Sequence, residues 1–458
     1  MGFVKEIPEL FKHQGVTVDY HMDNDRVYDA SDPGTGKTRS ALEMISRRQK
    51  AGAGKALVFA PKSILVPSWA NDLRAFTPHL KYVVATATNR KKAFSQDVDV
   101  YITNTDAAKW IEKNVDLDDF DILISDEHTA YKHRTSARAK SMAKIAKHFQ
   151  YRVGMSGTPN PNGVLDLWHQ YFILDDGEHL GTNFWQFRMK VCEPEQTGPG
   201  AEMVKWVDRP GAAEAVADIL SDMTIRHKME DCISIPEHTI RTVNFDLSAK
   251  HLKAYKDLEA DAIIQLKDTM VSAVHKGALR TKLLQLASGA VYDSEGYAAV
   301  ASTDRYELVM ELAEERESCV VAFSWKHQRD QLLELAKKKG VPHALIDGSV
   351  KDLDRQKAVK DFQSGKIKIL FAHPMSAAHG LTLTKGTTTI WPGPIDDAER
   401  FQQFNRRIYR AGQTRKTETI MVAGNDTLEA GVYDRLNGKV SDMVDLLSIL
   451  TAPVDLVA

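Results

Sequence analysis

The sequence predicts an α/β protein of two lobes with a mainly helical segment between them. Apolar runs of strand length alternate with amphipathic stretches in the first third of the chain, and the same alternation returns from Cys319 onward. Such alternation is typical of parallel sheets whose strands are joined by right-handed helical crossovers. From about Leu165 to Ser288 the pattern is mostly helical, broken by a Gly/Pro-containing loop at Pro194–Gly200.

The individual elements follow from the same patterns. The first lobe has predicted strands at Ala56–Ala60, Val98–Thr103, Ile122–Ser125 and Tyr151–Met155, and predicted helices at Ser40–Lys50 and Ala137–His148. A long helix is predicted at Tyr255–Val274, and the second lobe has predicted strands at Cys319–Phe323, His343–Ile346, Ile367–Phe371, Thr388–Trp391 and Thr417–Val422. We expect a first lobe over residues 1–164, a helical insertion and link over 165–240, a helical insertion over 241–300, a second lobe over 301–440 and a C-terminal helix over 441–458.

Composition narrows the class of protein. The 458 residues are 43% apolar and 27% charged, which is typical of a soluble globular protein of two to four domains. The three cysteines (Cys192, Cys232 and Cys319) lie far apart, which excludes a disulfide framework and a cysteine zinc site. With no signal peptide or membrane-spanning run, a reducing, cytoplasmic compartment is expected. The net charge of -2 argues against a wholly basic nucleic-acid binder but leaves a local basic groove open.

A phosphate-binding loop is predicted at Ala30–Thr38, directly before an amphipathic helix. Its glycines let backbone N–H groups curl around phosphate, and the helix N-terminus adds a favourable dipole. Lys37 should reach the β- and γ-phosphates, and the hydroxyl of Thr38 should ligate Mg²⁺. Ser31 stands where the general pattern has its first Gly. The residues predicted to hold the nucleotide here are Pro33, Gly34, Thr35, Gly36, Lys37 and Thr38.

An apolar strand at Ile122–Ser125 ends in two carboxylates, Asp126 and Glu127. In a protein with an upstream phosphate loop, Asp126 is expected to hold Mg²⁺, directly or through water. Glu127 is expected to orient and deprotonate an attacking water. The two motifs together predict a Mg²⁺-dependent ATP hydrolase.

Further motifs follow in a fixed order. They are Leu10–Val16, Leu57–Leu65 with Trp69, Tyr101–Asp106, Asp126–Thr129, Met155–Pro159, Arg226–Lys228, Val320–His327, Ile346–Ser349, Ala372–Leu383 and Gln403–Gln413. Over nearly the whole chain this order resembles helicase superfamily two, and within it the compact, bacterial or phage-like Swi/Snf-related translocases of double-stranded DNA. The resemblance implies two RecA-like lobes, each a parallel sheet flanked by helices, with helical insertions between them.

The resemblance also implies roles for single residues. Gln14 would bond the adenine edge, and Gln403 would contribute to nucleotide binding. The segment Ser156, Gly157 and Thr158 would relay the nucleotide state to the second lobe. Arg407 and Arg410, three apart on one helical face, would reach the γ-phosphate when the lobes close. Residues that would contact the nucleic-acid backbone are Lys62, Ser63, Thr103, Asn104, Ser324, Trp325, Lys326, His379 and Gly380.

The chain departs from the family pattern after the acidic pair. Thr129 replaces the histidine that normally couples the nucleotide to the second lobe. His128 could substitute for it, or could be an ordinary solvent-facing histidine. Lys132, by contrast, falls where the Swi/Snf-type motif continues with Lys.

The resemblance implies a DNA-dependent ATPase that moves along duplex or branched DNA by its phosphate backbone, with little sequence preference. Within that resemblance, Lys132, the Gly-Gln ending of the last motif and the helical insertions favour this function. A monomer is expected, with a possible protein partner and no membrane contact. One alternative is a strand-separating DNA or RNA helicase. Others are an ATP-regulated nucleic-acid-binding subunit that needs a partner, or the motor of a restriction or repair complex.

Overall fold

The chain divides into two compact units. The first consists of Met1–Ser234 together with Ser441–Ala458, and the second of Ile235–Val440. The structure is a computed structural model that describes residues 7–159, 163–196, 204–267, 273–292, 298–300, 302–377 and 381–449. Side chains of residues 262–276, 298–300, 377 and 441–449 are also outside the description.

The first unit is built around a seven-stranded parallel sheet in the order β3-β4-β2-β5-β6-β1-β9. An antiparallel pair, β7-β8, lies outside that sheet. The strands are β1 Arg26–Asp29, β2 Lys55–Ala60, β3 Tyr82–Ala85, β4 Val100–Asn104, β5 Phe120–Asp126, β6 Tyr151–Met155, β7 Cys192–Gln196, β8 Val204–Asp208 and β9 Thr224–Ile225. The helices are α1 Lys12–Asp23, α2 Lys37–Lys50, α3 Asn71–Phe76, α4 Arg90–Ala93, α5 Ala108–Asn114, α6 Ala137–Ala146, α7 Leu165–Asp175, α8 Phe184–Val191, α9 Ala212–Leu220 and α10 Met229–Cys232.

Both faces of this sheet are buried, as the continuous apolar strands predict. Along β2, Val58 packs with Ile45 of α2 in one core cluster. Its neighbour Phe59 points to the opposite face and packs with Met142 of α6 in another. The sheet is therefore sandwiched between helical layers, and its strand ends are the places where polar side chains can collect.

The second unit has a six-stranded parallel sheet in the order β10-β17-β16-β13-β15-β14 and an antiparallel pair, β11-β12. The strands are β10 His238–Phe245, β11 Ala290–Tyr292, β12 Ala298–Val300, β13 Cys319–Ala322, β14 His343–Ile346, β15 Ile369–Ala372, β16 Thr388–Trp391 and β17 Thr417–Gly424. The helices are α11 Ala249–Lys267, α12 Ala273–Ala287, α13 Asp304–Glu314, α14 Lys326–Lys338, α15 Asp352–Gln363, α16 Pro374–Ala377 and α17 Ala398–Asn405. A last helix, α18 Glu429–Ile449, begins in the second unit, and its residues from Ser441 are grouped with the first unit.

The structure confirms every predicted strand within two residues at each end, and corrects the middle segment. The loop predicted at Pro194–Gly200 is wrong at its start, because residues up to Gln196 belong to β7; residues 197–200 lie outside the described part. The segment predicted as mostly helical also contains β8, β9 and β10. Strand β10 pairs along its full length with β17. The helix predicted at Tyr255–Val274 begins earlier, at Ala249, and is described to Lys267; residues 268–272 lie outside the described part, and Val274 belongs to α12. The predicted C-terminal helix begins at Glu429, and residues 450–458 lie outside the described part.

One buried ion pair joins several elements of the second unit. The guanidinium of Arg305 on α13 contacts both carboxylate oxygens of Glu429, at 2.8 and 2.7 Å, and both side chains are almost fully buried. Arg305 also donates to the carbonyls of Ala287 and Pro392, and Glu429 accepts the N–H of Gly424. The pair therefore fixes the ends of α12, β16 and β17 to one another.

We predict that Glu429→Gln destabilises the second unit by about 3–5 kcal/mol, because it leaves the buried guanidinium without its counter-charge. Urea unfolding followed by circular dichroism measures the change. Glu237→Gln is the matched control, since Glu237 pairs with Lys416 at an exposed position and surface pairs contribute little. Equal stability of the Glu429→Gln variant and the wild type would contradict the prediction.

Candidate functional site

The loop between β1 and α2 has the geometry of a phosphate cradle. Gly34 (φ 98°) and Gly36 (φ 84°) adopt the left-handed backbone conformation that glycine reaches without steric cost. The ammonium of Lys37 donates hydrogen bonds to the carbonyls of Ser31 (2.5 Å) and Asp32 (3.2 Å), so it lies within the loop. Together with the N-terminus of α2, the loop fits a bound anion.

Ser31, at the position of the usual glycine, has its own structural role. Its Oγ accepts the backbone N–H of His227 at 3.0 Å. The N–H groups of Ala30 and Asp32 donate to the carbonyls of Ile225 (2.8 Å) and His227 (3.0 Å). These bonds extend the pairing of β1 with β9, so the basic stretch that contains His227 runs beside the phosphate loop. A glycine at this position would lack the hydroxyl bond.

Gln14 on α1 lies directly beside the same loop. Its Nε2 donates to the carbonyl of Thr35 at 3.3 Å, and its Oε1 accepts the N–H of Phe11 at 3.1 Å. Nε2 of His13 is 2.7 Å from the same Thr35 carbonyl. A Cβ on Gly36 would come within 2.2 Å of Gln14 Nε2, and the φ of 84° at Gly36 also favours glycine at this position. Recognition of adenine by Gln14 stays a prediction.

The two carboxylates at the end of β5 have different environments. Oδ2 of Asp126 accepts the indole N–H of the buried Trp69 at 2.9 Å. Burial raises the pKa of Asp126, while the Trp69 bond and the positive charge of Lys37 oppose that rise. Glu127 has φ 53°, a conformation that costs free energy for any residue except glycine and that concentrates at functional sites. Through its hydrogen bond, Trp69 positions the carboxylate of Asp126, a role that the sequence motif did not assign to it.

The donor set fits Mg²⁺ bound together with a nucleotide. Thr38 and Asp126 offer a hydroxyl and a carboxylate oxygen, and Mg²⁺ commonly uses one or two carboxylates with substrate phosphates. Within the described residues no cluster of three or more His, Cys, Asp or Glu side chains could hold a metal ion by itself.

The segment after β6 contacts the phosphate loop. The N–H of Ser156 donates to the carbonyl of Asp29 at 3.1 Å, and Oγ of Ser156 accepts the N–H of Thr158 at 3.2 Å. A Cβ on Gly157 would lie 2.5 Å from Cδ of Pro33, so the two segments touch at a point where only glycine fits. The structure therefore brings together the predicted nucleotide and relay residues of the first unit. The relay itself stays a prediction.

His128 is fully buried, so the interpretation as a solvent-facing histidine is wrong. Its Nε2 is 2.9 Å from the carbonyl of Gln170, its ring packs edge-on against Tyr28, and burial lowers the pKa of His128 to about 4. The side chain of Gln170 accepts the hydroxyl of Tyr28 at 2.6 Å and donates to the carbonyl of Pro159 at 2.6 Å. This buried glutamine of α7, which belongs to no motif, joins the acidic motif to Pro159, the residue directly after the Ser156–Thr158 segment.

Lys132, shortly after His128, also contacts helix α7. Thr129 is buried, and Nζ of Lys132 is 3.7 Å from Oδ2 of Asp166, with both side chains largely shielded from solvent. Gln170 also donates to the carbonyl of Asp166 at 2.7 Å. In this structure Lys132 therefore supports the position of α7.

The predicted backbone-contact residues of the first unit are only partly accessible. Lys62 is exposed and Ser63 half-buried, just beyond β2. Asn104 Oδ1 accepts a hydrogen bond from Arg90 at 3.2 Å. Thr103 is fully buried and its hydroxyl donates to the carbonyl of Ala85, so its side chain is not accessible to a phosphate, and that assignment is wrong.

The corresponding residues of the second unit lie where β13 meets α14. The N–H groups of Ser324 and Trp325 donate to Oε1 of Gln328, and Lys326 is exposed. His379 and Gly380 lie outside the described residues. Contact of these side chains with nucleic acid stays a prediction.

The arginines of the last motif converge, although not on a helix. Helix α17 ends at Asn405, so the expectation that Arg407 and Arg410 share one helical face is wrong. Both guanidinium groups nevertheless reach the carbonyl of Leu381, at 3.4 and 3.1 Å. Nε of Arg407 also donates to the carbonyl of the buried Gln403 at 3.0 Å. The turn after α17 therefore replaces helical periodicity in bringing the two arginines together.

The Gly-Gln ending of that motif has a structural role. Gln413 is buried, and its Nε2 donates to the carbonyls of Thr384, Gly386 and Ile408, each at 3.0 Å. Its Oε1 accepts the next two backbone N–H groups. Gln413 thus closes the arginine turn against the segment before β16.

Two parallel-sheet units, with a phosphate loop and an acidic strand end in the first, define a two-lobed nucleoside triphosphatase. A family model described as SNF2-related domain matches residues 20–289, and one described as helicase conserved C-terminal domain matches residues 304–412. The chain belongs to the SNF2-related family, which confirms the predicted resemblance, the two RecA-like lobes and the ATP-hydrolase class. Among the described residues, no helix is long and apolar enough to cross a membrane.

Similar proteins include a phage protein of nearly equal extent. Putative protein p41 of Acyrthosiphon pisum secondary endosymbiont phage 1 is 28% identical over 93% of this chain and 95% of that protein. The putative ATP-dependent helicase/translocase YwqA of Bacillus subtilis is 22% identical over 90% of this chain, which spans only 45% of YwqA. A solved Sulfolobus solfataricus SWI2/SNF2 ATPase core in complex with dsDNA is 21% identical, with a TM-score of 0.46, over 98% of this chain and 95% of that one.

We predict that Trp69→Phe raises the Mg²⁺ concentration needed for half-maximal ATP hydrolysis by about 10-fold or more. The variant removes the indole N–H that holds Asp126, and removal of such supporting groups typically costs 10–100-fold in metal affinity or activity. A Mg²⁺ titration of the ATPase rate measures the effect. Trp110→Phe, at a half-buried site beside Arg90, is the matched control. A Mg²⁺ dependence equal to that of the wild type would contradict the role of Trp69.

Proposed function

We propose that this chain is an ATP-driven translocase on double-stranded or branched DNA. The observation that carries the proposal is the meeting of three segments at one edge of the first sheet: the phosphate loop, Asp126 and the Ser156–Thr158 segment. In a member of the SNF2-related family, such a site links ATP hydrolysis to movement. YwqA, whose name includes translocase, is similar over 90% of this chain and supports the same function.

The roles of the site residues follow from their positions. Lys37 and the N–H groups of the loop bind the phosphates, while Thr38 and Asp126 hold Mg²⁺. When bound, Mg²⁺ neutralises charge on the β- and γ-phosphates. Glu127 orients the attacking water and accepts its proton. Arg407 and Arg410, held together at the Leu381 carbonyl, supply positive charge to the transferring phosphoryl group.

DNA is the proposed partner through its phosphate backbone. Exposed Lys62 and Lys326 follow strands of the two sheets and suit phosphate oxygens, which carry no sequence information. Binding should therefore weaken steeply with salt and vary little with base sequence.

We predict that duplex or branched DNA stimulates ATP hydrolysis strongly and that Lys37→Ala abolishes the activity, because the loop then lacks the ammonium that binds phosphate. The ATPase rate is measured without nucleic acid and with single-stranded, duplex and branched DNA and RNA. Lys50→Ala, at the exposed end of the same helix, is the matched control and should behave as the wild type.

The same substrates distinguish the alternatives. Stimulation by RNA or single strands alone, with displacement of a labelled strand from a fork, would replace the translocase with a strand-separating helicase. No stimulation by any nucleic acid would overturn DNA as the direct partner.

A further inference from the structure

A row of aromatic side chains runs from the core of the first unit to its surface. Trp168 on α7 packs edge-on against Phe184, with ring centroids 5.4 Å apart, and Phe184 packs in the same way against Trp185. The side chain of Asn183 caps α8 by accepting the N–H of Trp185 at 2.9 Å. The Trp185 side chain is nevertheless 52% exposed. Its ring is therefore held in place by the core and open to solvent.

Two arginines lie over the exposed Trp185 and over the half-buried rings beside it. The guanidinium of Arg134 is 4.6 Å from the ring centre of Phe184 and 4.8 Å from that of Trp185. The guanidinium of Arg188 is 4.5 Å from Trp185 and 3.8 Å from Trp206. Among the described residues, no carboxylate forms an ion pair with either arginine. Both positive charges therefore face aromatic rings in this part of the chain.

Nearby acidic groups do not neutralise this surface. Helix α8 contains no Asp or Glu. In the β7-β8 pair Trp206 is opposite Pro194, whereas Glu193 and Glu195 alternate with Pro194 and so project from the other face. Asp208, on the Trp206 face, accepts hydrogen bonds from the N–H of Val164 and the thiol of Cys192, and its one negative charge is outnumbered by the two arginines. The surface therefore combines flat aromatic faces with positive charge.

We propose that the surface formed by Arg134, Phe184, Trp185, Arg188 and Trp206 binds an unpaired strand of nucleic acid. Guanidinium groups bind phosphates, and unpaired bases stack on aromatic rings or guanidinium planes. Bases within a duplex are already stacked on their neighbours, so this surface selects the single-stranded arm of a branched substrate. The inference rests on the proposed function and specifies which DNA structure is preferred.

A protein partner is the other class of occupant, since Trp and Arg are also common at the centres of protein interfaces. The positive charge beside stacked rings favours a strand with a phosphate at every base. The test therefore uses DNA with and without an unpaired arm.

Fluorescence anisotropy compares a labelled blunt duplex with the same duplex carrying a single-stranded thymidine tail. The wild type should bind the tailed duplex more tightly. Trp185→Ala should weaken binding of the tailed duplex by about 5- to 100-fold, the contribution of one base–aromatic stack, and leave the blunt duplex unaffected. Trp185→Phe should keep most of the affinity. Arg188→Gln should reduce the salt slope for the tail by about 0.7 for each phosphate that the guanidinium neutralises in the wild type.

Controls separate this inference from the proposed function. Ile219→Ala, 48% exposed in the same unit, should behave as the wild type with both substrates. If Trp185→Ala does not fold, the double variant Arg134→Gln and Arg188→Gln provides the same comparison. A tail preference unchanged by these variants, or no tail preference in the wild type, would overturn the proposal and leave a protein partner as the occupant. Failure of both duplex and branched DNA to stimulate ATP hydrolysis by the wild type would instead overturn the proposed function.

Discussion

The parallel register of three neighbouring strands is the constraint on which the rest of the first unit depends. Met155 at the end of β6 is opposite both Asp126 of β5 and Asp29 of β1. Because carboxyl ends of parallel strands share one edge of the sheet, the acidic motif, the phosphate loop and the Ser156–Thr158 segment must all begin there. A shift of β6 by one residue would turn every side chain to the opposite face and separate these segments.

The strand register determines only where the backbone segments lie. Buried polar contacts then determine how the side chains of the ATP site are oriented. The indole of Trp69 holds Asp126 in a site where burial favours protonation, and Lys37 nearby favours the carboxylate. Ser31 acts in a similar way in the phosphate loop, since its hydroxyl accepts a backbone N–H of the segment beside it. A departure from a family motif can therefore be compensated by an interaction that the motif does not describe.

Sequence patterns over a few residues predict those strands whose burial depends on their own residues. Strands with continuous apolar runs, such as β2 and β15, are predictable because both faces of each are buried. Strand β10 is not, because five of its eight residues are polar and it lies at an edge of its sheet, where partner strand β17 supplies the stabilisation. Trp69 contacts Asp126, 57 positions away, and Gln170 contacts His128, 42 positions away. Motif spacing cannot predict contacts over such separations. The Arg407 turn resembles a helix in sequence because the residues after Asn405 include no helix breaker before Gly412.

Helix α7 connects the ATP site of the first unit with the aromatic row that ends at Trp185. Through Gln170 it contacts the acidic motif and the segment after β6, and through Trp168 it supports the aromatic row that ends at Trp185. The two side chains are two residues apart and so point to different sides of the helix. A helix of eleven residues that is bonded on one side and packed on another has little freedom to shift. Helix α7 thus links the exposed Trp185 ring to the acidic motif through packed and hydrogen-bonded side chains, so a strand bound at the proposed surface would lie on the same unit as the ATP site.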